Sequence, residues 1–92
     1  MTSKAVVVSN QLGLHARAAA RFVHLATRFV SQIRVARESK VMDGKSIMGI
    51  LLLAAARGTT ITITADGPDE ADAVDALCGL VSSGFGEETW SG

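Results

Sequence analysis

One histidine, His15, stands where a helix is expected to begin, and Arg17 follows two residues later. Apolar side chains downstream recur at helical spacing and predict a helix over residues 16–28. The first turn of a helix carries unpaired backbone N–H groups and a partial positive charge, and both favour an anion. Arg17 adds a planar cation whose geometry matches a phosphate. The neutral ring of His15 is therefore placed to carry a phosphoryl group, although on spacing alone a capping or surface histidine is the alternative.

A second candidate site precedes a short apolar segment. Ser46 is predicted to cap a helix over residues 47–56, with Gly58 as its C-terminal glycine. This helix is apolar nearly all round, so one face enters the core and the rest is either unused or a contact surface. Met48 and Leu51 fit both the core and the contact surface.

The remaining segments supply the frame for these two sites. Alternating apolar residues predict strands that begin at Val6 and cover residues 32–35, 40–42 and 60–64. In the last of these, isoleucines point one way and threonines the other, so one face of the sheet is expected to be open to water. A third helix follows the turn at residues 66–70, with Pro68 early in its first turn. The buried stripe of this helix is expected to comprise Val74, Leu77, Cys78 and Val81. A loose tail is expected after it, from the glycines Gly84, Gly86 and Gly92.

The order of elements, β-α-β-β-α-β-α, predicts an α+β fold in two layers. A chain of 92 residues that is 48% hydrophobic is expected to form a single domain, residues 1–92. One cysteine permits no internal disulfide, and the apolar segment near the N-terminus is too short for a signal peptide. No stretch approaches membrane-spanning length, so we expect a cytoplasmic protein without membrane insertion.

The charge is balanced overall but divided along the chain. All nine Lys and Arg residues lie at or before Arg57, where only two acidic residues oppose them, and the other seven acidic residues follow. The basic part contains His15 and is suited to an acidic partner, while the acidic residues also suit the first turns of the last helix.

Several function classes are disfavoured by the composition. The sequence lacks an overall basic excess and aromatic residues that alternate along a strand, which argues against nucleic-acid binding. It has no Cys-x-x-Cys motif, and its two histidines lie nine residues apart on different helical faces, so a metal site is not expected. His24 is expected to be a solvated residue of the helix surface.

Three short motifs stand out along the chain, Gly13-Leu14-His15-Ala16-Arg17, Lys45-Ser46-Ile47-Met48-Gly49 and Ala65-Asp66-Gly67-Pro68-Asp69-Glu70. In order and in spacing they resemble the histidine-containing phosphocarrier protein (HPr) family of the bacterial phosphotransferase system. The resemblance covers nearly the whole chain, about residues 6–87. It implies a four-stranded antiparallel sheet with three helices on one face, an open-faced sandwich.

The resemblance also implies a function. His15 would accept a phosphoryl group on Nδ1 from phosphorylated Enzyme I and pass it to an acceptor protein of the IIA class, with Arg17 stabilising the phosphate. Such a protein is a covalent relay and a monomer rather than a small-molecule enzyme, and it needs no cofactor. In part of the family the serine that matches Ser46 is phosphorylated by a dedicated kinase and restored by a phosphorylase. The partner surface implied by the resemblance comprises Arg21, Ile47, Met48 and Leu51.

The branch of the family stays open at the level of sequence. Ala18 stands where the carbohydrate-transport branch usually has proline, and the nitrogen-regulatory branch often has alanine there. A regulatory interaction protein, whose phosphorylation state controls its partners, is therefore the alternative to a transport relay. A small ligand-binding or metal-binding α+β domain is the alternative from another class.

Overall fold

The structure is a computed structural model that describes residues 1–86. This part of the chain forms four strands and three helices in the order β-α-β-β-α-β-α, and a short 3₁₀ turn, Gly84–Gly86, follows them. The strands pair antiparallel in the spatial order β1-β4-β2-β3, and the helices cover one face. The predicted α+β two-layer, open-faced sandwich is confirmed. The elements are β1 (Thr2–Val7), α1 (Ala16–Ala26), β2 (Gln32–Arg37), β3 (Lys40–Asp43), α2 (Ile47–Leu53), β4 (Thr60–Asp66) and α3 (Glu70–Ser82).

The two faces of the sheet differ as the alternation in β4 predicts. Ile61 and Ile63 are buried beneath the helices, whereas Thr62 and Thr64 are half-buried on the opposite face. On that open face, the hydroxyl groups of Ser3 and Thr64 lie 2.7 Å apart across the β1–β4 pair. The sheet therefore presents one face to the core and the other to solvent.

The core lies between the sheet and the helices. From α1 it receives Phe22, and the predicted stripe of α3 is buried as expected, from Val74 to Val81. The helix α1 packs against both α2 and α3. The helix that follows His15 is thus fixed on several sides, which gives its first turn a defined direction.

Two element boundaries differ from the sequence-based expectations. Strand β1 begins at Thr2 rather than Val6, because its polar residues pair with β4 from Thr2 opposite Ala65 onward. An edge strand needs backbone partners more than apolar side chains, so hydropathy missed it. Similarly, α1 ends at Ala26 and passes into a turn before Arg28.

The end of α2 was predicted wrongly. The helix stops at Leu53, and Ala54 adopts the left-handed conformation with φ 52° and ψ 37°. Gly58 also has a positive φ, 89°, but it lies in the turn that leads to β4. The segment between the two residues contacts the loop before His15, because the Ala55 carbonyl oxygen accepts the N–H of Leu14.

The predicted loose tail is ordered in its first part. Phe85 is buried, and the guanidinium of Arg21 donates a hydrogen bond to its carbonyl oxygen. The hydroxyl of Ser9 lies 3.3 Å from the carbonyl oxygen of Val81. The segment around Gly84 thus packs onto the body of the domain, whereas Gly92 lies outside the described residues.

The acidic start of α3 also ties distant parts of the chain together. Asp69 accepts hydrogen bonds from the backbone N–H groups of Val30 and Ser31, at 2.9 and 3.0 Å, and from the Ser31 hydroxyl. These bonds, the hydroxyl bond above all, hold the pKa of Asp69 below its ordinary value. The helix begins at Glu70, two residues after Pro68, so the proline precedes the first turn rather than lying within it.

The second acidic residue, Glu70, holds the start of the chain. Its carboxylate lies 2.8 Å from the amino group of Met1 and 2.6 Å from the hydroxyl of Thr2. Together with the Gly67 N–H, these donors lower the pKa of Glu70 to about 2. The acidic residues predicted to serve the helix dipole therefore also serve as tertiary anchors.

Candidate functional site

His15 is the N-cap residue of α1, as its position in the sequence predicts. Its backbone is extended, with φ −78° and ψ 177°, and its carbonyl accepts the N–H of Ala19 at 2.8 Å. The imidazole is half-buried and makes no capping hydrogen bond to the helix. His15 therefore lies at the positive end of α1.

The loop before His15 is braced rather than flexible. The side-chain amide of Asn10, which is buried, donates to the carbonyl oxygen of Gly13 at 2.7 Å. The Leu14 side chain is also buried, and its N–H donates to the carbonyl oxygen of Ala55 at 2.9 Å. These contacts fix the backbone immediately ahead of His15.

Glycine is required at position 13 for two independent reasons. Gly13 has φ 66°, a conformation that L-residues rarely adopt. A Cβ atom there would also lie 2.5 Å from the carbonyl oxygen of Ala55 and 2.9 Å from the α-carbon of Ala56. The close approach of these two segments places the His15 loop against the connection that follows α2.

The charge around His15 is positive. Arg17 is exposed in the first turn of α1, and this turn contains no acidic residue. By contrast, the first turn of α3 contains Glu70 and Asp72, which offset its dipole. Farther along α1, Arg21 and His24 are exposed and continue from Arg17 at intervals of four and three residues, so they share one face. The exposed Arg28 follows in the turn after the helix. The solvated position predicted for His24 is confirmed.

Ser46 caps α2 as predicted. Its backbone is extended, and its hydroxyl oxygen accepts the N–H of Gly49 at 3.0 Å. Its carbonyl oxygen accepts the N–H of Ile50 at the same distance. The side chain of Ser46 is half-buried and lies in front of the exposed apolar residues Ile47 and Met48.

The helix α2 divides its apolar residues between the core and the surface. Ile50 and Leu53 are fully buried, and Leu51 is half-buried against the core. Met48 is 65% exposed and Ile47 45% exposed, which settles the alternatives for Met48 in favour of the surface. This exposed apolar surface of α2 is available to a partner protein.

Two more exposed apolar residues are candidates for partner contact that the sequence did not predict. Leu52 extends the surface of α2 and is 54% exposed, and Leu12, in the loop before His15, is 71% exposed. The signal for Leu12 is a large apolar residue within an otherwise polar loop. Arg21, which was predicted to contact partners, is exposed but also anchors the carbonyl oxygen of Phe85.

Other classes of site find little support in residues 1–86. In this range, no group of three or more His, Cys, Asp and Glu side chains is arranged to hold a metal ion. None of the helices described is both long and apolar enough to cross a membrane. Cys78 is buried, and burial raises the pKa of its thiol, as expected for a core residue rather than a nucleophile.

Known proteins share this arrangement over almost the whole chain. Residues 2–83 match the family model described as the PTS HPr component phosphorylation site. The chain is 48% identical over 87 residues to phosphocarrier protein HPr of Cupriavidus necator, covering 95% of this chain and 98% of that protein. The phosphocarrier protein HPr of Neisseria meningitidis serogroup A is 45% identical over 87 residues, with the same coverage. The crystal structure of HPr-C-His from Thermoanaerobacter tengcongensis superposes with a TM-score of 0.92 at 44% identity, covering 96% of this chain and 99% of that one.

Proposed function

This chain belongs to the HPr family, the phosphocarrier proteins of the phosphotransferase system, and we propose that His15 is the residue that carries the phosphoryl group. The observation that supports this assignment is the position of His15 as the N-cap residue of α1, directly before the first turn. The nearby first turn lacks acidic residues and contains Arg17. A dianionic phosphoryl group on the ring would meet the positive end of the helix.

The chemistry requires a neutral imidazole as nucleophile. Nδ1 of His15 attacks the phosphorus of the phosphohistidine on Enzyme I, and the new P–N bond forms as the donor's P–N bond breaks. The phosphoryl group then leaves to a IIA-class acceptor by the same exchange in the opposite sense. A charge-assisted hydrogen bond from Arg17 would contribute about 1.5–3 kcal/mol, compared with about 0.3–1 kcal/mol from the helix terminus. Arg17 is therefore the larger of the two contributions to binding the phosphate.

Docking would use two adjoining features of the helical layer. The basic face of α1, which includes Arg21, suits an acidic surface on each partner and speeds encounter with it. The apolar surface of α2, formed by Ile47, Met48 and the half-buried Leu51, would supply the desolvated contact. Enzyme I and the acceptor would dock in succession on the same surface. We propose that residues 1–92 act as one monomeric domain in the cytoplasm, because a shared surface must be open to each partner in turn.

Ser46 is proposed as a regulatory phosphorylation site, controlled by a serine kinase and a phosphorylase. Its hydroxyl lies at the start of α2, directly before Ile47 and Met48. A phosphate there would add roughly two negative charges next to this apolar surface. The charge would suit the helix terminus but oppose docking, because a charged group is costly to desolvate. This arrangement favours a switch that acts on partner binding rather than on the His15 ring.

The assignment of His15 is tested by labelling. We expect Enzyme I and phosphoenolpyruvate to add one phosphoryl group to the protein, seen by intact mass, and the adduct to be acid-labile and stable in base. His24→Ala provides the matched control because His24 is an exposed histidine of the same helix, and it should be labelled normally. A folded His15→Ala protein that is still labelled would refute the assignment.

A further inference from the structure

One arginine of the sheet reaches the turn that ends α2. In β2 the side chains of Ile33 and Val35 are buried beneath the helices, so Arg37 faces the same side and Arg34 the opposite one. The guanidinium of Arg37 donates from Nη1 to the carbonyl oxygen of Ala54 at 3.4 Å. Its Nε is buried and has no hydrogen-bond partner in the described part of the chain. The Arg37 guanidinium thus combines this buried Nε with a hydrogen bond from Nη1 to the Ala54 carbonyl oxygen.

The residue that accepts this hydrogen bond is held in an unfavourable conformation. Ala54 is left-handed, with φ 52° and ψ 37°, and its N–H donates to the carbonyl oxygen of Leu51 at 3.0 Å. The left-handed region is disfavoured for a residue with a Cβ atom and persists only where neighbouring contacts hold it. The bond from Arg37 is one such contact, and it acts on the carbonyl of the strained residue itself.

The next residue transmits this conformation to the site. Ala55 is buried, and its carbonyl oxygen accepts the N–H of Leu14, the residue before His15, at 2.9 Å. The same oxygen limits the approach of Gly13, where even a methyl group would not fit. Because the backbone angles of Ala54 determine where the next residue lies, a change at Ala54 would move the Ala55 carbonyl, the acceptor that fixes the His15 loop.

We infer that Arg37 is a positioning residue for phosphotransfer, acting through the turn at Ala54 and the Ala55 carbonyl on the loop that carries His15. The inference rests on the proposed role of His15. The effect of Arg37 passes through the Ala54 carbonyl and the Leu14 N–H.

The test compares Arg37→Ala with Arg34→Ala, an arginine of the same strand on the open face of the sheet. For Arg37→Ala we expect the kcat of phosphotransfer from Enzyme I to fall by about tenfold, since small displacements of a reacting group are costly. The KM for the carrier should stay within about twofold, because the docking residues are retained. The amide resonance of Leu14 should shift and its hydrogen exchange should accelerate. Arg34→Ala should leave all of these values unchanged.

A second substitution distinguishes positioning from a general loss of structure. Glycine adopts the left-handed conformation readily, so adding Ala54→Gly to Arg37→Ala should restore most of the lost kcat and return the Leu14 resonance towards its original position. Normal kcat in Arg37→Ala, equal losses in Arg34→Ala, or failure of Ala54→Gly to restore kcat would each overturn the inference. These outcomes leave the role of His15 intact as long as the wild-type protein is labelled at that residue; labelling of His15→Ala would instead overturn the proposed function.

Discussion

The cap at Ser46 offers the clearest separation of stability from docking. In Ser46→Ala the hydroxyl oxygen that accepts the N–H of Gly49 at 3.0 Å is removed. Loss of an N-cap oxygen typically costs about 0.5–2 kcal/mol. Because Gly49 is buried, its N–H cannot easily turn to water, and an unsatisfied buried donor costs about 1–3 kcal/mol. The two ranges overlap at about 1–2 kcal/mol, which is the loss of unfolding free energy that we expect.

For a domain of this size, a loss of about 1–2 kcal/mol corresponds to a fall in Tm of roughly 4–16 °C. Ser46→Asp keeps a capping oxygen and adds a charge that the helix terminus favours by about 0.3–1 kcal/mol, so its stability should equal or exceed that of the wild type. Its carboxylate lies in front of Ile47 and Met48, where docking would desolvate it, so acceptance from Enzyme I should slow. The alanine variant should be less stable but competent, and the aspartate variant stable but slow.

Denaturant unfolding and phosphotransfer kinetics on the same samples measure both effects. Ser39→Ala is a matched control, because Ser39 is an exposed serine in the turn between β2 and β3, and its stability should stay within about 0.5 kcal/mol of the wild type. A Ser46→Ala protein as stable as this control would refute the capping argument. If Ser46→Asp accepts phosphate as fast as the wild type, Ser46 is only a cap and the regulatory proposal fails.

Three further substitutions test other parts of the molecule. Arg17→Ala should slow phosphotransfer by about tenfold or more, at about 1.4 kcal/mol per factor of ten, and stopped-flow rates equal to those of the wild type in a folded variant would contradict the role of its guanidinium. Ala54→Gly should raise the unfolding free energy by about 1 kcal/mol, because relief of left-handed strain outweighs the added freedom of the unfolded chain; a lower midpoint in urea would show that the turn is not strained. The lowered pKa of Asp69 means that its stabilising effect is present above about pH 4 and is lost as the pH falls through the native pKa. Asp69→Asn should therefore flatten the fall of unfolding free energy between about pH 5 and pH 3, and an unchanged slope would be evidence against this anchor.

The parts of the fold that the sequence predicted well are those governed by local pattern. The helical spacing around Phe22 marks α1, and the alternation of isoleucine and threonine marks β4, because each side chain's burial follows directly from the period of its own element. The start of α1 after His15 and the cap at Ser46 were placed correctly for the same reason, since the start of a helix depends on residues within one turn.

The errors arose where a distant contact decides the local structure. The glycine rule selected Gly58 as the residue that closes α2, but the helix ends at Leu53 with Ala54 as its C-cap. There the Arg37 side chain bonds to the Ala54 carbonyl and the Leu14 N–H to the Ala55 carbonyl. In the same way Phe85 is buried against the domain, although the neighbouring glycines suggested a loose tail. Neither contact leaves a periodic signal in the sequence, because the partners lie on other elements.

For the site, sequence identified the candidate nucleophile and cap but not what supports them. His15, Arg17 and Ser46 form parts of short motifs and could be found by inspection. The bracing of the loop by Ala55, and the strain at Ala54 that Arg37 opposes, depend on how β2 and α2 meet in space. Alanines in an apolar segment give no sign of a special backbone role before the chain is folded.

The central claim is that His15 carries a phosphoryl group between two partners, and a pulse-chase measurement tests it most directly. The protein would be labelled with Enzyme I and ³²P-phosphoenolpyruvate, separated from both, and mixed with purified IIA-class acceptors of the carbohydrate and nitrogen-regulatory types. The account predicts that the acid-labile label leaves His15 and appears in stoichiometric amount on a histidine of one acceptor type, which would also identify the branch. A label that stays on the carrier with both acceptors, or that transfers equally well from a folded His15→Ala protein, would contradict the account.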